Sequence, residues 1–267
     1  MDRREQAWAM WAAGDYASWG DLFGSVGAQL VDEVGVGGAD VLDVATGTGN
    51  TAIAAARSGG RVTGLDITPH LLGIARDRAG AAGLDIQWVE DDMTAMPFPD
   101  RSFDRVLSTF GVMLAPDRPA MAAELLRVCR PAGLVAITNW CADAGMSKLG
   151  AIVGGFFSPP ENPPPRPTDW GDPALVTEFF GGLPATVTTA RRTVPVRWVS
   201  AEEAVSMIAA TCGPLIGAVA ALRERGDWTR ARAAIIDMLK AEATPGSDGL
   251  VVQMPYLLTV VGRPDGD

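Results

Sequence analysis

The chain has 267 residues, 48% of them apolar, and a formal charge of −10. That length accommodates one large α/β domain or two small ones, and the acidic balance argues against a DNA, RNA or anionic-membrane partner, whose binding rests on basic side chains. Cys129, Cys141 and Cys212 lie far apart without a C-x-x-C pair, which excludes the usual zinc and thioredoxin-like spacings and fits reduced thiols; no metal site is expected.

The opening stretch, MDRREQAWAMWAAGDY, is charged and aromatic, with no continuous apolar run of signal-peptide type. No window approaches the ~20 apolar residues that cross a bilayer, so a soluble, cytoplasmic protein is expected. Short apolar runs then alternate with helical segments, the pattern of a parallel sheet with crossover helices. Val41 to Val44 reads as a first strand ended by Gly47, and residues 51–58 as an Ala-rich helix. Arg61 to Asp66 is a second strand, and Pro69 opens a helix through about Ala82, where its missing N–H costs nothing. Ile86 to Val89 and Asp104 to Ser108 follow as strands. Asp117 is placed to cap the next helix, in which Met121, Leu125 and Val128 recur at helical spacing, and Leu134 to Thr138 is a fifth strand.

After Trp140 the pattern changes. Residues 159–173 hold seven of the 19 prolines and are predicted as a loop of restricted backbone freedom. Asp172-Pro173 starts a short helix that Gly181-Gly182 ends, and residues 186–199 read as a strand. Ser200 and Glu203 form a capping-box pattern, helical segments run to about Ala243, and Leu250 to Val261 is a last strand entered or bent at Pro255. The expectation is a single domain over residues 1–267. It comprises a helical cap over 1–30, a cofactor-binding core over 31–140, a Pro-rich lid over 141–185, and a 186–267 segment that completes the sheet.

The run Val41-Leu42-Asp43-Val44-Ala45-Thr46-Gly47-Thr48-Gly49-Asn50 lets the backbone pass close to a ligand, because glycine lacks the Cβ that would collide. It lies at the carboxyl end of the first strand, the edge at which open α/β sheets bind ligands. Asp66 ends the second strand, where a carboxylate can accept both hydroxyls of a ribose, and Asp92 follows the third, where it can meet the exocyclic amine of adenine. Three acidic residues at three successive strand ends match the length of a nucleoside. Gly47-Thr48-Gly49-Asn50-Thr51-Ala52 also satisfies a looser dinucleotide fingerprint, G-x-G-x-x-A, so an NAD(P)-dependent oxidoreductase is the competing reading. Asp43 inside the first strand and the lack of a second βαβαβ unit count against it.

The segments VLDVATGTGN, GLDITPHLL, VEDDMTAMPFPDRSFDRVLSTFGVML and ELLRVCRPAGLVAITNW, in this order and spacing, resemble class I S-adenosylmethionine-dependent methyltransferases. The subgroup is that of the ubiquinone/menaquinone-type C-methyltransferases and their actinobacterial natural-product relatives. The resemblance covers about residues 1–140. It implies a Rossmann-like α/β fold with a seven-stranded, mostly parallel sheet of order 3-2-1-4-5-7-6, helices on both faces, a small lid insertion and S-adenosylmethionine as cofactor. Asp43, Ala45, Thr46, Gly47, Thr48 and Gly49 would then cradle the methionine part. Asp66 would bind the ribose, Ile67 and Leu71 would lie against the adenine, and Asp92 would meet its amine with Met93 beside the ring. Thr109 and Phe110 would lie near the sulfonium and the substrate. Trp11 and Tyr16 resemble the segment that folds over the cofactor, and Ala45 stands where the family often has Gly.

In-line methyl transfer asks the protein mainly for alignment. No obvious base is present. The single histidine, His70, falls on the adenosine side as a surface or cap residue, which leaves Asp15 and Tyr16 as candidate proton acceptors. Trp11, Tyr16, Phe110, Met113 and Trp140 are the expected acceptor contacts. Trp8, Trp19, Trp170, Phe156, Phe157 and Met146 are further aromatic or apolar candidates for packing or pocket walls. The function implied is methylation of a small apolar or aromatic metabolite by a monomer or homodimer. The alternatives are the oxidoreductase, a non-catalytic regulator, or a protein that uses the bound sulfonium for another reaction such as a cyclisation.

Overall fold

The computed structural model describes residues 11–159, 161, 163, 165–244 and 248–264. Its strands are β1 (Asp40–Val44), β2 (Arg61–Asp66), β3 (Ile86–Glu90), β4 (Phe103–Thr109), β5 (Cys129–Trp140), β6 (Thr186–Trp198) and β7 (Leu250–Gly262). They form one seven-stranded sheet of order β3-β2-β1-β4-β5-β7-β6. β1 to β5 run parallel, and β7 is antiparallel to both β5 and β6. β1 and β2 are buried along nearly their whole length, Asp43, Thr63 and Asp66 included.

The helices are α1 (Tyr16–Val34), α2 (Asn50–Arg57), α3 (Pro69–Ala81), α4 (Arg118–Val128), α5 (Gly145–Gly154), α6 (Pro173–Phe179), α7 (Ala201–Thr211), α8 (Gly213–Glu224) and α9 (Trp228–Ala241). Local chemistry sets several starts. The Asp117 carboxylate accepts the Ala120 N–H at 3.0 Å, Asp172 accepts that of Ala174 at 2.8 Å, and Ser200 Oγ accepts that of Glu203 at 3.1 Å. Glu203 turns back to the Val199 N–H, one residue before the expected cap. α1 packs against α2 and across β4, β5 and β6. No single helix among the described residues is long and apolar enough to cross a membrane.

Three departures from the sequence expectations matter for the site. α5 occupies a stretch for which the sequence predicts no element, because GMSKLGAIVG carries three glycines and a weak polar face. A 3-10 turn, Pro167–Gly171, stands inside the predicted loop and buries Trp170 completely, with Phe179 and Phe180 at ring distances of 5.0 and 6.3 Å. α7, α8 and α9 are inserted between β6 and β7, and α8 and α9 pack on α5, so the cap over this end of the sheet comes from two insertions rather than from 141–185 alone. Pro255 is accommodated within β7 because pairing with β5 begins only at Tyr256, so on that side β7 is still an edge strand.

Candidate cofactor and acceptor site

The turn after β1 is built from left-handed residues: Ala45 (φ 54°), Gly47 (55°) and Gly49 (83°). A Cβ on Gly49 would come within 3.0 Å of Ala75 and Trp88, so this glycine serves close packing of turn on helix. A Cβ on Gly47 would meet no atom within 4 Å, so its backbone is open to a ligand. Ala45 is tolerated because Gly111 faces it; a Cβ there would lie 2.6 Å from that of Ala45. The Thr46 N–H donates to the Leu65 carbonyl at 2.9 Å. Arg78, from α3, donates to the Thr48 carbonyl at 2.7 Å and to its hydroxyl at 3.1 Å.

Two of the three strand-end carboxylates are tied to this turn. Asp43 Oδ2 accepts the Thr46 hydroxyl at 2.6 Å and the Ala52 N–H at 3.0 Å. Its burial pushes the pKa up to about 7, against the lowering effect of those bonds. Asp66 accepts the Gly47 N–H on Oδ2 at 2.8 Å and the Thr68 N–H on Oδ1 at 2.9 Å. Burial raises its pKa too. A carboxylate has about four lone-pair sites, so these two bonds fix its orientation and leave acceptor capacity for a ligand. Asp92 caps the 3-10 turn Met93–Ala95, its Oδ1 accepting the N–H and the hydroxyl of Thr94, both at 2.8 Å.

A cavity of about 1040 Å³ opens over these groups. One end is polar, lined by Asp43, Thr46, Gly47, Thr48, Asp66 and Asp92, with Ala45, Ile67, Leu71 and Met93 alongside. The other end is apolar and includes Trp11, Phe23, Phe110, Met113, Trp140, Met146 and Leu215. Thr109 lies on the cavity wall, its hydroxyl 2.8 Å from that of Thr51. Phe110 has a positive φ of 58° and stacks on Trp140 with ring centroids 3.7 Å apart and planes 9° off parallel. Phe23 meets both rings edge-on, at 5.9 and 5.0 Å. A bulky residue in the left-handed region is uncommon and marks a constrained position.

A methyltransferase domain family matches residues 41–133. Over 255 residues the chain is 36% identical to the uncharacterized protein Rv1405c of Mycobacterium tuberculosis, with 94% of this chain and 91% of that one covered. It is 40% identical over 102 residues to the demethylmenaquinone methyltransferase of Thermus thermophilus, which covers 38% of this chain and 46% of the relative. Among solved structures, the YcgJ protein of Bacillus subtilis superposes with a TM-score of 0.63 at 16% identity, over 91% of this chain and all of that one. The chain belongs to the class I S-adenosylmethionine-dependent methyltransferases. S-adenosylmethionine is accordingly its cofactor. The oxidoreductase alternative falls with this assignment, in keeping with the antiparallel β7 that stands beside β5 where a dinucleotide binder has a further parallel strand.

The methyltransferase gathers nearly all the residues singled out from its sequence at this one cavity. Gly49 does not line it and acts through packing instead. His70 is exposed and also lies outside the lining. Neither candidate proton acceptor fits that role. Asp15 is exposed and off the cavity wall, its N–H donating to the Thr211 carbonyl at 3.0 Å. Tyr16 does line the cavity, but its phenolic oxygen accepts the Gly213 N–H at 3.1 Å, and burial raises its pKa far above the ordinary tyrosine value. It closes the cap, alongside Trp19, whose indole N–H donates to Thr211 Oγ1 at 2.9 Å. Trp170, Phe156 and Phe157 are not lining residues; the two phenylalanines lie beneath Arg230 and Arg225, each 5.4 Å from a ring centroid. Trp8 is outside the described residues. Thr51, Phe23, Gly150, Arg166, Cys212 and Leu215 also line the cavity and were not singled out. They sit on helices and loops whose approach to the rim only the tertiary fold reveals.

Proposed function

We propose that this methyltransferase alkylates a small apolar or aromatic metabolite, such as a phenol, quinone-like ring, indole, polyketide or terpenoid. The observation that carries this reading is the division of one cavity into a carboxylate-lined end and an aromatic, apolar end. S-adenosylmethionine, when bound, supplies an activated methyl on a positively charged sulfur for in-line displacement.

The residues present suit that cofactor. Asp66, its carboxylate already oriented by two backbone N–H groups, is assigned to the ribose hydroxyls, and Asp92 with Met93, Ile67 and Leu71 to the adenine. The turn from Ala45 to Gly49, braced by Asp43 and Arg78, is assigned to the methionine part, with its Thr46 and Thr48 hydroxyl-bearing side chains. Thr109 and Phe110 stand at the carboxyl end of β4, which lies between β1 and β5 in the sheet. Trp11, Tyr16, Phe110, Met113 and Trp140 are assigned to the acceptor side, where aromatic faces suit both a flat acceptor and a nearby cation.

Within this reading the protein contributes orientation and exclusion of water, worth up to roughly 7–11 kcal/mol in favourable systems. The enzyme is proposed to act in the cytoplasm, as a monomer or homodimer, on a free small molecule; its acidity favours no nucleic-acid or anionic-membrane partner. The demethylmenaquinone methyltransferase relative is named for a quinone-type acceptor, which supports a ring-containing substrate, although the match spans only 38% of this chain. The test is incubation with methyl-deuterated cofactor and a panel of phenols, quinols, indoles and terpenoids beside amino acids, nucleosides and tRNA. Labelled product is expected among the apolar acceptors; label only in the polar set or in tRNA contradicts the proposal.

A further inference from the structure

Glycine within a helix costs about 1 kcal/mol relative to alanine; among the helical glycines with open space where a Cβ would stand, Gly24, Gly73, Gly80 and Gly217 lie away from the cavity and Gly150 lines it. Other helical glycines at this cavity are required by packing. A Cβ on Gly27 would lie 2.6 Å from the Thr51 hydroxyl, and one on Gly20 would lie 2.8 Å from the Asn50 amide. Gly150, in the interior of α5, has no such neighbour: a Cβ there would meet nothing within 4 Å, and its φ is not positive. Neither close packing nor backbone conformation therefore calls for glycine. Gly150 is exposed and lines the cavity together with Met146, Ser147 and Ala151, so a side chain here would take up space at that lining. These four share one face of α5.

The helix itself is firmly placed. Leu149 and Val153 are buried behind it, Lys148 pairs with Glu242 at the C-cap of α9, and the Ser147 hydroxyl donates to the Cys141 carbonyl at 2.9 Å. The wall that Gly150 forms is thus a fixed surface rather than a loop that can retreat. None of the carboxylates assigned to the cofactor lies on α5. We infer that Gly150 determines specificity: the missing side chain leaves the width that the acceptor's apolar body needs, in the same chamber as Phe110 and Trp140. The inference rests on the two-ended reading of the cavity proposed above.

The test is a graded series, Gly150→Ala, Gly150→Leu and Gly150→Phe, in the full chain saturated with S-adenosylhomocysteine. Binding of the neutral fluorophore N-phenylnaphthylamine is read beside S-adenosylhomocysteine affinity and melting temperature. Gly150→Ala is expected to melt higher and to bind the probe almost as the wild type does. Probe affinity is expected to fall with added volume, by about tenfold or more at Gly150→Phe, as when a pocket is overfilled, while S-adenosylhomocysteine affinity stays unchanged. Probe binding indifferent to the series, or cofactor affinity falling in step with it, overturns the assignment of Gly150. A wild-type, cofactor-loaded protein that binds no probe instead contradicts the apolar-acceptor reading on which it rests.

Discussion

Asp66 carries two burdens. It accepts backbone N–H groups from the glycine turn and from the start of α3, and it is the residue assigned to the ribose. Asp66→Ala is expected to weaken S-adenosylhomocysteine binding by about 1.5–3 kcal/mol, the scale of hydrogen bonds to a charged group, measured by calorimetry on a variant shown to be folded. Unchanged affinity would remove Asp66 from the cofactor site. Asp43 sets a pH dependence. Its folded pKa, pushed up to about 7, lies above the unfolded value, so the folded protein binds the extra proton between the ordinary carboxylate range and about 7. The stability this lends is present below that window and is lost as pH rises through it. A cationic ligand beside Asp43 favours the ionised form. Cofactor binding near pH 6 should therefore release a proton and tighten as pH rises toward about 7. Titrations in two buffers of different ionisation heat measure the release; proton uptake, or heats independent of buffer, would contradict it. The carboxylates were legible in the sequence because each ends a recognisable strand. The resemblance placed Tyr16 in the segment over the cofactor, but its partner, the Gly213 N–H, was not legible, because it lies 197 residues away.

At the level of elements, the cap is held to the core by Arg118. This buried side chain from the first turn of α4 donates to the carbonyls of Ala115 at 2.7 Å, Pro116 at 3.1 Å and Arg166 at 2.9 Å, and sits 3.9 Å from the Asp169 carboxylate. It thereby joins the loop after β4, which brings Met113 to the cavity, to the 166–169 stretch of the cap. Arg118→Met removes the donor shared by those carbonyls, while Asp169 keeps Arg166 as a partner, and a loss of about 1–3 kcal/mol is expected from urea unfolding. Faster proteolysis near residues 159–172 should accompany it, with S-adenosylhomocysteine affinity retained. Stability within error of the wild type would show that the anchor is dispensable. Arg118 has no sequence signature, since an arginine before Pro119 reads as an exposed helix start. α5 escaped prediction for a related reason. Its glycines lower helix propensity, and one of them, Gly150, faces a cavity that periodicity cannot reveal.

Across the whole molecule, the parallel strands were legible because β-rich runs and helical runs alternate cleanly through Trp140, and the resemblance supplied their order and the antiparallel last strand. The architecture of the cap was not. Its parts, α5 and the α7–α9 insertion, lie on either side of β6 in the chain, and they meet only because β7 returns between β5 and β6. That return brings the elbow at Thr211–Gly213 onto the first turn of α1, so segments from both ends of the chain close over one rim. A crystal structure of the protein with S-adenosylhomocysteine tests this arrangement most directly. The adenosine should lie between Asp66 and Asp92, with its sulfur directed toward Phe110 and Trp140 and the apolar end of the cavity still open. An adenosine bound elsewhere, or a sulfur turned away from the aromatic end, would contradict it.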